Sequence, residues 1–231
     1  LMQDGQFPLA GPCPVALFGN GARRTLKGGT GSGDVNVRHY TTVEEGLTKA
    51  GFTVTTEAWL NRYDAIWEEA HKRFVQNIKD QAAAQGVPAV LLGMGQVMPE
   101  PDYELPLSGD ADTAVYVLSR ISGEGADRHN VPGDLQLTET EIRNILAANE
   151  TYEKFLLVLN VGGVVDLSPV MEVKNILLLS QPGMTVGDSL ADVILGKENP
   201  SGKLASTWAA ADDYCSIGSF GDEDDTRYRE G

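Results

Sequence analysis

A glutamate flanked by glycines is the most chemically suggestive residue of this chain. Glu124 lies between Gly123 and Gly125 in the segment RISGEGADR, directly after an apolar run. Glycines adopt backbone conformations that other residues avoid, so we expect this loop to present the carboxyl group outward. A carboxyl that donates a proton near pH 7 needs its pKa raised by burial or by a negative neighbour. The alternative interpretation is an ordinary solvated surface glutamate.

Two charged residues that follow Glu124 are candidates for holding its loop. Asp127 and Arg128 lie within reach of each other and of the loop. We predict that they pair and support the loop around Glu124.

A second glycine-rich segment, residues 19–34, follows the first apolar run. Glycine-rich loops at this point often bind phosphate. Here the first glycines lack the third member of the dinucleotide pattern, and Asp34 stands where a P-loop has its lysine. A carboxylate there repels phosphate, so nucleotide binding is disfavoured. Two interpretations remain: a flexible turn without a ligand, or a loop that lets a substrate approach the backbone, with the Ser32 hydroxyl as a hydrogen-bonding group.

Other common catalytic arrangements are missing from the sequence. His39, His71 and His129 lack the spacing of metal ligands, and no serine nucleophile elbow is present. We therefore expect neither a metal nor another cofactor.

The elements that must position these loops follow an alternating pattern. Apolar runs alternate with amphipathic helices, which predicts a three-layer α/β/α sandwich with a mainly parallel, doubly wound sheet of about six strands. In such a sheet, ligands bind beyond the carboxyl ends of the strands. The whole chain, 1–231, is predicted to be one domain ending in an acidic loop or tail, 221–231. Strands are predicted at 13–18, 52–56, 114–119, 155–160, 175–180 and 204–208, helices at 42–50, 58–84, 138–149 and 186–194, and a loop or broken crossover that flanks a site at 86–108.

Composition narrows the choice of partners. Eighteen Lys and Arg against 33 Asp and Glu give a net charge of −15, which disfavours nucleic acids and anionic membranes. A neutral ligand such as a sugar meets little electrostatic penalty.

The N-terminal residues lack the features of a secretory signal, and the abrupt ends are typical of a piece of a longer protein. Cys13 and Cys215 are interpreted as reduced thiols of a cytoplasmic protein, with a single disulfide in an extracellular protein as the alternative.

Four blocks together resemble the α/β sandwich, or C-terminal-type, domain of glycoside hydrolase family 3, the β-glucosidase and β-xylosidase group. They cover nearly the whole chain and occur in the family's order. One departure is Ala209, because related proteins often have Phe-Pro where Trp208 and Ala209 stand here. The blocks are ALFGNGARRTLKGGTGSGDVN (16–36), YVLSRISGEGADR (116–128), LVLNVGGVVDLS (157–168) and ENPSGKLASTW (198–208).

The resemblance implies a role for each candidate residue. Glu124 corresponds to the general acid/base, and Ser32 to a residue that hydrogen-bonds the sugar. The nucleophilic aspartate of the family lies on a separate (β/α)₈ barrel, which no segment here resembles. Because retaining hydrolysis needs two carboxyl groups about 5–5.5 Å apart, this chain alone is expected to be nearly inert. The implied substrates are short β-linked saccharides or glucosides. A non-catalytic carbohydrate-binding domain and, more weakly, a nucleotide-binding regulator are the alternatives.

Overall fold

The computed structural model describes residues 4–31, 34–124 and 128–210. Within them, five parallel strands form one sheet in the order β2-β1-β3-β4-β5. The strands are β1 (Pro14–Phe18), β2 (Thr53–Val54), β3 (Thr113–Arg120), β4 (Lys154–Val161) and β5 (Ile176–Leu178). This order confirms the predicted doubly wound α/β fold.

The two central strands form the core of the sheet. All eight residues of β3 are buried, as are all residues of β4 except its first, Lys154. Strands covered on both faces need such continuous apolar runs, which is why the sequence predicted them well. The register pairs Thr113 with Lys154 and ends with Arg120 opposite Val161, so both strands end at the same edge.

Helices cover both faces of the sheet, as the three-layer prediction requires. The helices are α1 (Val43–Lys49), α2 (Glu57–Gln85), α3 (Ala89–Leu92), α4 (Glu139–Thr151) and α5 (Val186–Ile194). On one face α1 and α5 pack together, so closely that Gly46 has no room for a side chain beside Gly187. On the other face α4 packs on β3 and β4, and the start of α2 packs on β1.

Two of the predicted helices begin with capping boxes, in which a threonine is followed by a glutamate three positions later. The Thr42 side chain accepts a hydrogen bond from the Glu45 backbone N–H, while the Glu45 side chain accepts one from the Thr42 backbone. Thr138 and Glu141 repeat the arrangement at the start of α4. Each box satisfies two backbone donors that the first turn of a helix would otherwise leave unpaired.

The predicted strand at 204–208 is wrong. These residues are described, but they form no strand, and Leu204 is 55 % exposed. An edge strand needs a neighbour that offers a matching row of backbone groups. One edge strand of the described sheet, β5, has only three residues, Ile176–Leu178, and offers few such groups. The sheet of the described residues therefore has five strands.

The 29-residue helix α2 is longer than the layer that it helps to form. Its buried residues are Trp59, Leu60, Tyr63 and Ala82. Near its start, Trp59 packs edge-on against Phe18 of β1 and stacks on Tyr63, so these two aromatics belong to the core. No helix in the described part of the chain is long and apolar enough to cross a membrane.

Candidate active site at the carboxyl edge of the sheet

The direction of the chain across the sheet reverses between β1 and β3. The chain moves from β1 outward to β2, and then returns to place β3 on the other side of β1. In doubly wound sheets this point opens a crevice at the carboxyl edge, where ligands bind. The loops that follow β1 and β3 are the two glycine-rich segments that the sequence singled out.

Glycines bring these two loops into direct backbone contact. A side chain at Gly29 would collide with the carbonyl oxygen of Ser122, and one at Gly123 would collide with the backbone of Thr30. Gly123 does not have the positive φ that we expected to explain its presence. Glycine is required there because the facing loop leaves no space for a β-carbon.

Glu124, on the loop after β3, packs against the loop that follows β1. Its backbone N–H donates to the Thr30 carbonyl at 3.3 Å, and the Thr30 hydroxyl donates to the Glu124 carbonyl at 3.3 Å. Its side chain is exposed at the carboxyl edge and lies over Gly31, which has φ 85°. Ser32, the expected sugar ligand, lies outside the described residues.

Two asparagines hold the ends of the strands beneath this site. Asn160 is completely buried at the end of β4. Its Oδ1 accepts from the Leu26 N–H (2.6 Å) and the Ser119 hydroxyl (2.9 Å), and its Nδ2 donates to the carbonyls of Leu26 (2.9 Å) and Ser180 (2.7 Å). Asn20 in turn exchanges two hydrogen bonds with the backbone of Ser119. The side-chain amide of Asn160 therefore joins the loop after β1, the end of β3 and the loop after β5.

Arg128, which follows the Glu124 loop in the sequence, is held by Asp134. Its Nε and Nη2 donate to the Oδ1 and the backbone carbonyl of Asp134, and the His129 N–H donates to Oδ2 of the same carboxylate. This partner was not anticipated. Asp127, the partner that the sequence suggested, lies outside the described residues.

A cavity of about 610 Å³ opens beside Glu124. It is lined by the segment from Arg120 to Glu124 and by Trp67, His71 and Phe74 of α2. The Trp67 and His71 rings stack with centroids 4.7 Å apart, and the Arg24 guanidinium lies 4.2 Å from the centre of the Trp67 ring. The segment 93–99 completes the wall, so the predicted irregular stretch at 86–108 does flank the cavity.

A buried polar cluster lies under the floor of this cavity. Arg120, at the end of β3, forms a buried ion pair with Glu141 of α4. Glu100 accepts a hydrogen bond from the Tyr63 hydroxyl at 2.9 Å. Burial, together with the negative charge of Glu141, raises the pKa of Glu100 to about 8. Glu100 is therefore mostly protonated at neutral pH, which limits the negative charge in this interior.

The first loop does not have the geometry of a phosphate site. Among the described residues after β1, no α-helix precedes α1, which begins at Val43, so none of the described α-helices starts within the loop. Asp34 forms an ion pair with Lys27 at 2.6 Å, so this lysine is already paired with a carboxylate.

Among the described residues, no group of His, Cys, Asp and Glu is arranged to hold a metal ion.

Sequence reasoning assigned no role to Asn160, Asp134 or Glu100. For Asn160 a signal exists: it is a polar residue at the end of the apolar run Phe155–Leu159 and was predicted to be part of a strand buried on both faces. Asparagine is seldom fully buried without partners for its amide, so this position predicts a hydrogen-bonding role. Asp134 and Glu100 lie in irregular segments of the sequence, where no apolar run marks a position as buried, so no comparable signal exists for them.

The fold is a doubly wound α/β domain, with an acidic residue, Glu124, beside the switch point of its sheet. The chain belongs to glycoside hydrolase family 3, because residues 3–231 match the glycosyl hydrolase family 3 C-terminal domain.

Relatives and solved structures agree with this assignment. The chain is 31% identical over 245 residues to β-glucosidase A of Butyrivibrio fibrisolvens, covering 95% of this chain and 28% of that protein. It is 28% identical over 235 residues to the β-glucosidase of Ruminococcus albus, covering 100% and 24%. The structure of β-glucosidase 3B from Thermotoga neapolitana in complex with glycerol superposes with a TM-score of 0.63 at 32% identity, covering 90% of this chain and 28% of that one.

A β-glucosidase structure from Paenibacillus barengoltzii superposes with a TM-score of 0.68 at 26% identity, covering 96% of this chain and 24% of that one. The chain thus spans about a quarter of the length of the relatives that it matches.

Proposed function

We propose that this domain supplies the acid/base carboxylate, Glu124, of a retaining β-glycosidase that hydrolyses short β-linked saccharides or glucosides. One observation carries the proposal: Glu124 lies beside the switch point of the sheet, on the loop after β3, and contacts Thr30 and Gly31 of the glycine loop that leads into Ser32. The β-glucosidases among its relatives support the choice of substrate. Ser32 is proposed to hydrogen-bond the sugar, and the nucleophilic aspartate to come from a (β/α)₈ barrel of the same polypeptide.

The proposed reaction uses the Glu124 carboxyl group twice. In the first step it transfers its proton to the glycosidic oxygen as the bond from that oxygen to the anomeric carbon breaks, while the aspartate bonds to the same carbon. In the second step the Glu124 carboxylate takes a proton from water, the water oxygen attacks the anomeric carbon, and the aspartate leaves. Arg128, Asn160 and the glycine contacts hold the loop but touch no reacting atom.

A kinetic experiment on the full-length protein tests this role. Glu124→Ala should slow the hydrolysis of glucosides with poor leaving groups far more than that of activated aryl glucosides, because only the former need protonation. Added azide should restore turnover of activated substrates and yield a glycosyl azide, since azide attacks the intermediate without needing a base.

Glu104→Ala is the matched control, because this glutamate is also exposed but lies outside the cavity. It should leave all rates within about two-fold, as exposed substitutions away from a site usually do. An equal loss on all substrates in Glu124→Ala, with no rescue by azide, would contradict the proposal.

A further inference from the structure

An arm projects from the domain beside the Glu124 cavity. We define the arm as residues 67–99, which comprise the exposed length of α2, the helix α3 and the segment that leads back to the sheet. Within it, α3 returns along α2, where Gly93 approaches Ile78. Ala82 is the arm's fully buried residue in α2, so most of this helix surface is not covered by the domain.

The tip of the arm is apolar and uncharged. Val90 is 82 % exposed, Leu91 59 % and Met94 60 %. No charged residue occurs from Gly86 to Pro99, although the chain as a whole has a net charge of −15. A protein surface that exposes neighbouring large apolar side chains without charges is typical of an interaction site, because its burial gains free energy without desolvating ions.

The base of the arm is part of the candidate active site. Trp67, His71 and Phe74 from α2, with Val97 and Met98 from the returning segment, line the cavity that contains Glu124. The apolar tip is therefore continuous along the chain with one wall of the cavity. A body that closes this cavity from outside must lie beside the arm.

We propose that the apolar tip of the arm (Val90, Leu91 and Met94) docks the domain of the same polypeptide that carries the nucleophile. This inference rests on the proposed function, which requires a second carboxylate about 5–5.5 Å from that of Glu124. The domain that brings this carboxylate must approach the mouth of the cavity, where the arm stands. The matched relatives are about four times as long as this chain, which leaves ample polypeptide for such a domain.

A second copy of the chain is the competing occupant of the tip. Another copy carries the same net charge of −15, so the two molecules repel each other even though the tip itself is uncharged. A domain on the same polypeptide is present at an effective concentration in the millimolar range. Both considerations favour the domain of the same polypeptide.

Photo-crosslinking of the full-length protein tests the contact directly. A benzophenone-bearing amino acid replaces Met94 at the tip, and in a control it replaces Lys72, which is exposed on the opposite face of α2 from Phe74 and Ile78. We expect the probe at 94, but not at 72, to link to a peptide of the nucleophile domain within one polypeptide. A covalent dimer linked through position 94, or no crosslink there, would overturn the proposal.

Charge substitutions give a second, independent readout. Leu91→Asp with Met94→Asp should lower kcat/KM on the order of 10-fold or more, because small displacements between catalytic groups are costly. The control Lys72→Gln with Lys79→Gln changes the net charge by the same amount on exposed positions and should have little effect.

The two proposals fail in different ways. If Glu124→Ala shows no acid/base behaviour while position 94 crosslinks to the other domain, the proposed function fails and the contact stands. If Glu124→Ala behaves as an acid/base variant, but the tip neither crosslinks to that domain nor affects kcat/KM, the docking inference is refuted alone.

Discussion

The carboxylate of Glu124 lies against the backbone of Gly31, a residue of the neighbouring loop. A β-carbon at position 31 would lie 2.5 Å from Oε2 of Glu124 and 2.7 Å from its β-carbon. The position of the proposed proton donor therefore depends on the absence of a single methyl group elsewhere in the chain.

Substitution of Gly31 by alanine should displace Glu124. The added methyl forces the carboxylate away, and the left-handed backbone at φ 85° adds strain. In the full-length protein we expect kcat/KM for substrates with poor leaving groups to fall by about 10- to 100-fold. Gly86→Ala is the control, since Gly86 also has a positive φ, 68°, but nothing lies within 4 Å of the added carbon. Equal activity of the two variants would show that Gly31 does not position Glu124.

Substitution of Asn160 by alanine should destabilise the domain by about 3 kcal/mol or more. The four hydrogen bonds of its amide would be lost, which leaves buried donors and acceptors without partners. Urea unfolding measures the change as a shift of the midpoint. Asn175→Ala is the control, because this buried asparagine makes two hydrogen bonds, to Asp4 and Gln6. If Asn160→Ala lost no more stability than Asn175→Ala, the proposed role of the Asn160 amide in joining the loops would be contradicted.

Substitution of Glu100 by glutamine should stabilise the domain at alkaline pH. Its folded pKa of about 8 lies above its ordinary value of 4.5, so the folded state holds this proton more tightly than the unfolded chain does. The corresponding stability is fully present below about pH 4.5 and is lost as the pH rises to about 8. Glutamine cannot ionise, so the variant should match the parent near pH 5 and exceed its stability by about 2–4 kcal/mol at pH 9.

Urea unfolding at several pH values checks this expectation, with the exposed Glu104→Gln as the control. A difference between Glu100→Gln and the parent that stays constant from pH 5 to pH 9 would mean that Glu100 titrates as in the unfolded chain.

Substitution of Arg120 by methionine should cost about 3–5 kcal/mol of stability. The change leaves the Glu141 carboxylate buried without its cation, and the energy of an unpaired buried charge exceeds that of the lost pair. The double variant Arg120→Met with Glu141→Gln should recover much of the loss, because glutamine keeps the capping hydrogen bonds of α4. Thermal or urea unfolding distinguishes the variants. If Arg120→Met alone were as stable as the double variant, the buried Glu141 carboxylate would not need the Arg120 cation.

Local patterns in the sequence predicted most of the elements, because each pattern acts over a few residues. Thr42 with Glu45 and Thr138 with Glu141 marked two helix starts correctly, and the apolar runs of β3 and β4 marked the centre of the sheet. The strand at 204–208 failed because its formation depends on a neighbour that no local pattern reveals.

The contacts within the site were less predictable, because they join distant parts of the chain. Asn160 and Leu26 are 134 residues apart, and Glu100 and Tyr63 are 37 apart. Spacing along the chain cannot identify such pairs, since the fold alone brings them together. Glu124 was singled out by its flanking glycines, but the reason for Gly123, a close approach of Thr30, required the structure.

The hydrogen bonds between Asn160 and Leu26 also impose an order on synthesis. Leu26 is synthesised 134 residues before its partner Asn160. At typical elongation rates this separation corresponds to a delay on the order of ten seconds. During that interval the loop after β1 lacks the amide that later fixes it. The glycine-rich loop therefore gains its final geometry only after β4 has been made and has joined the sheet.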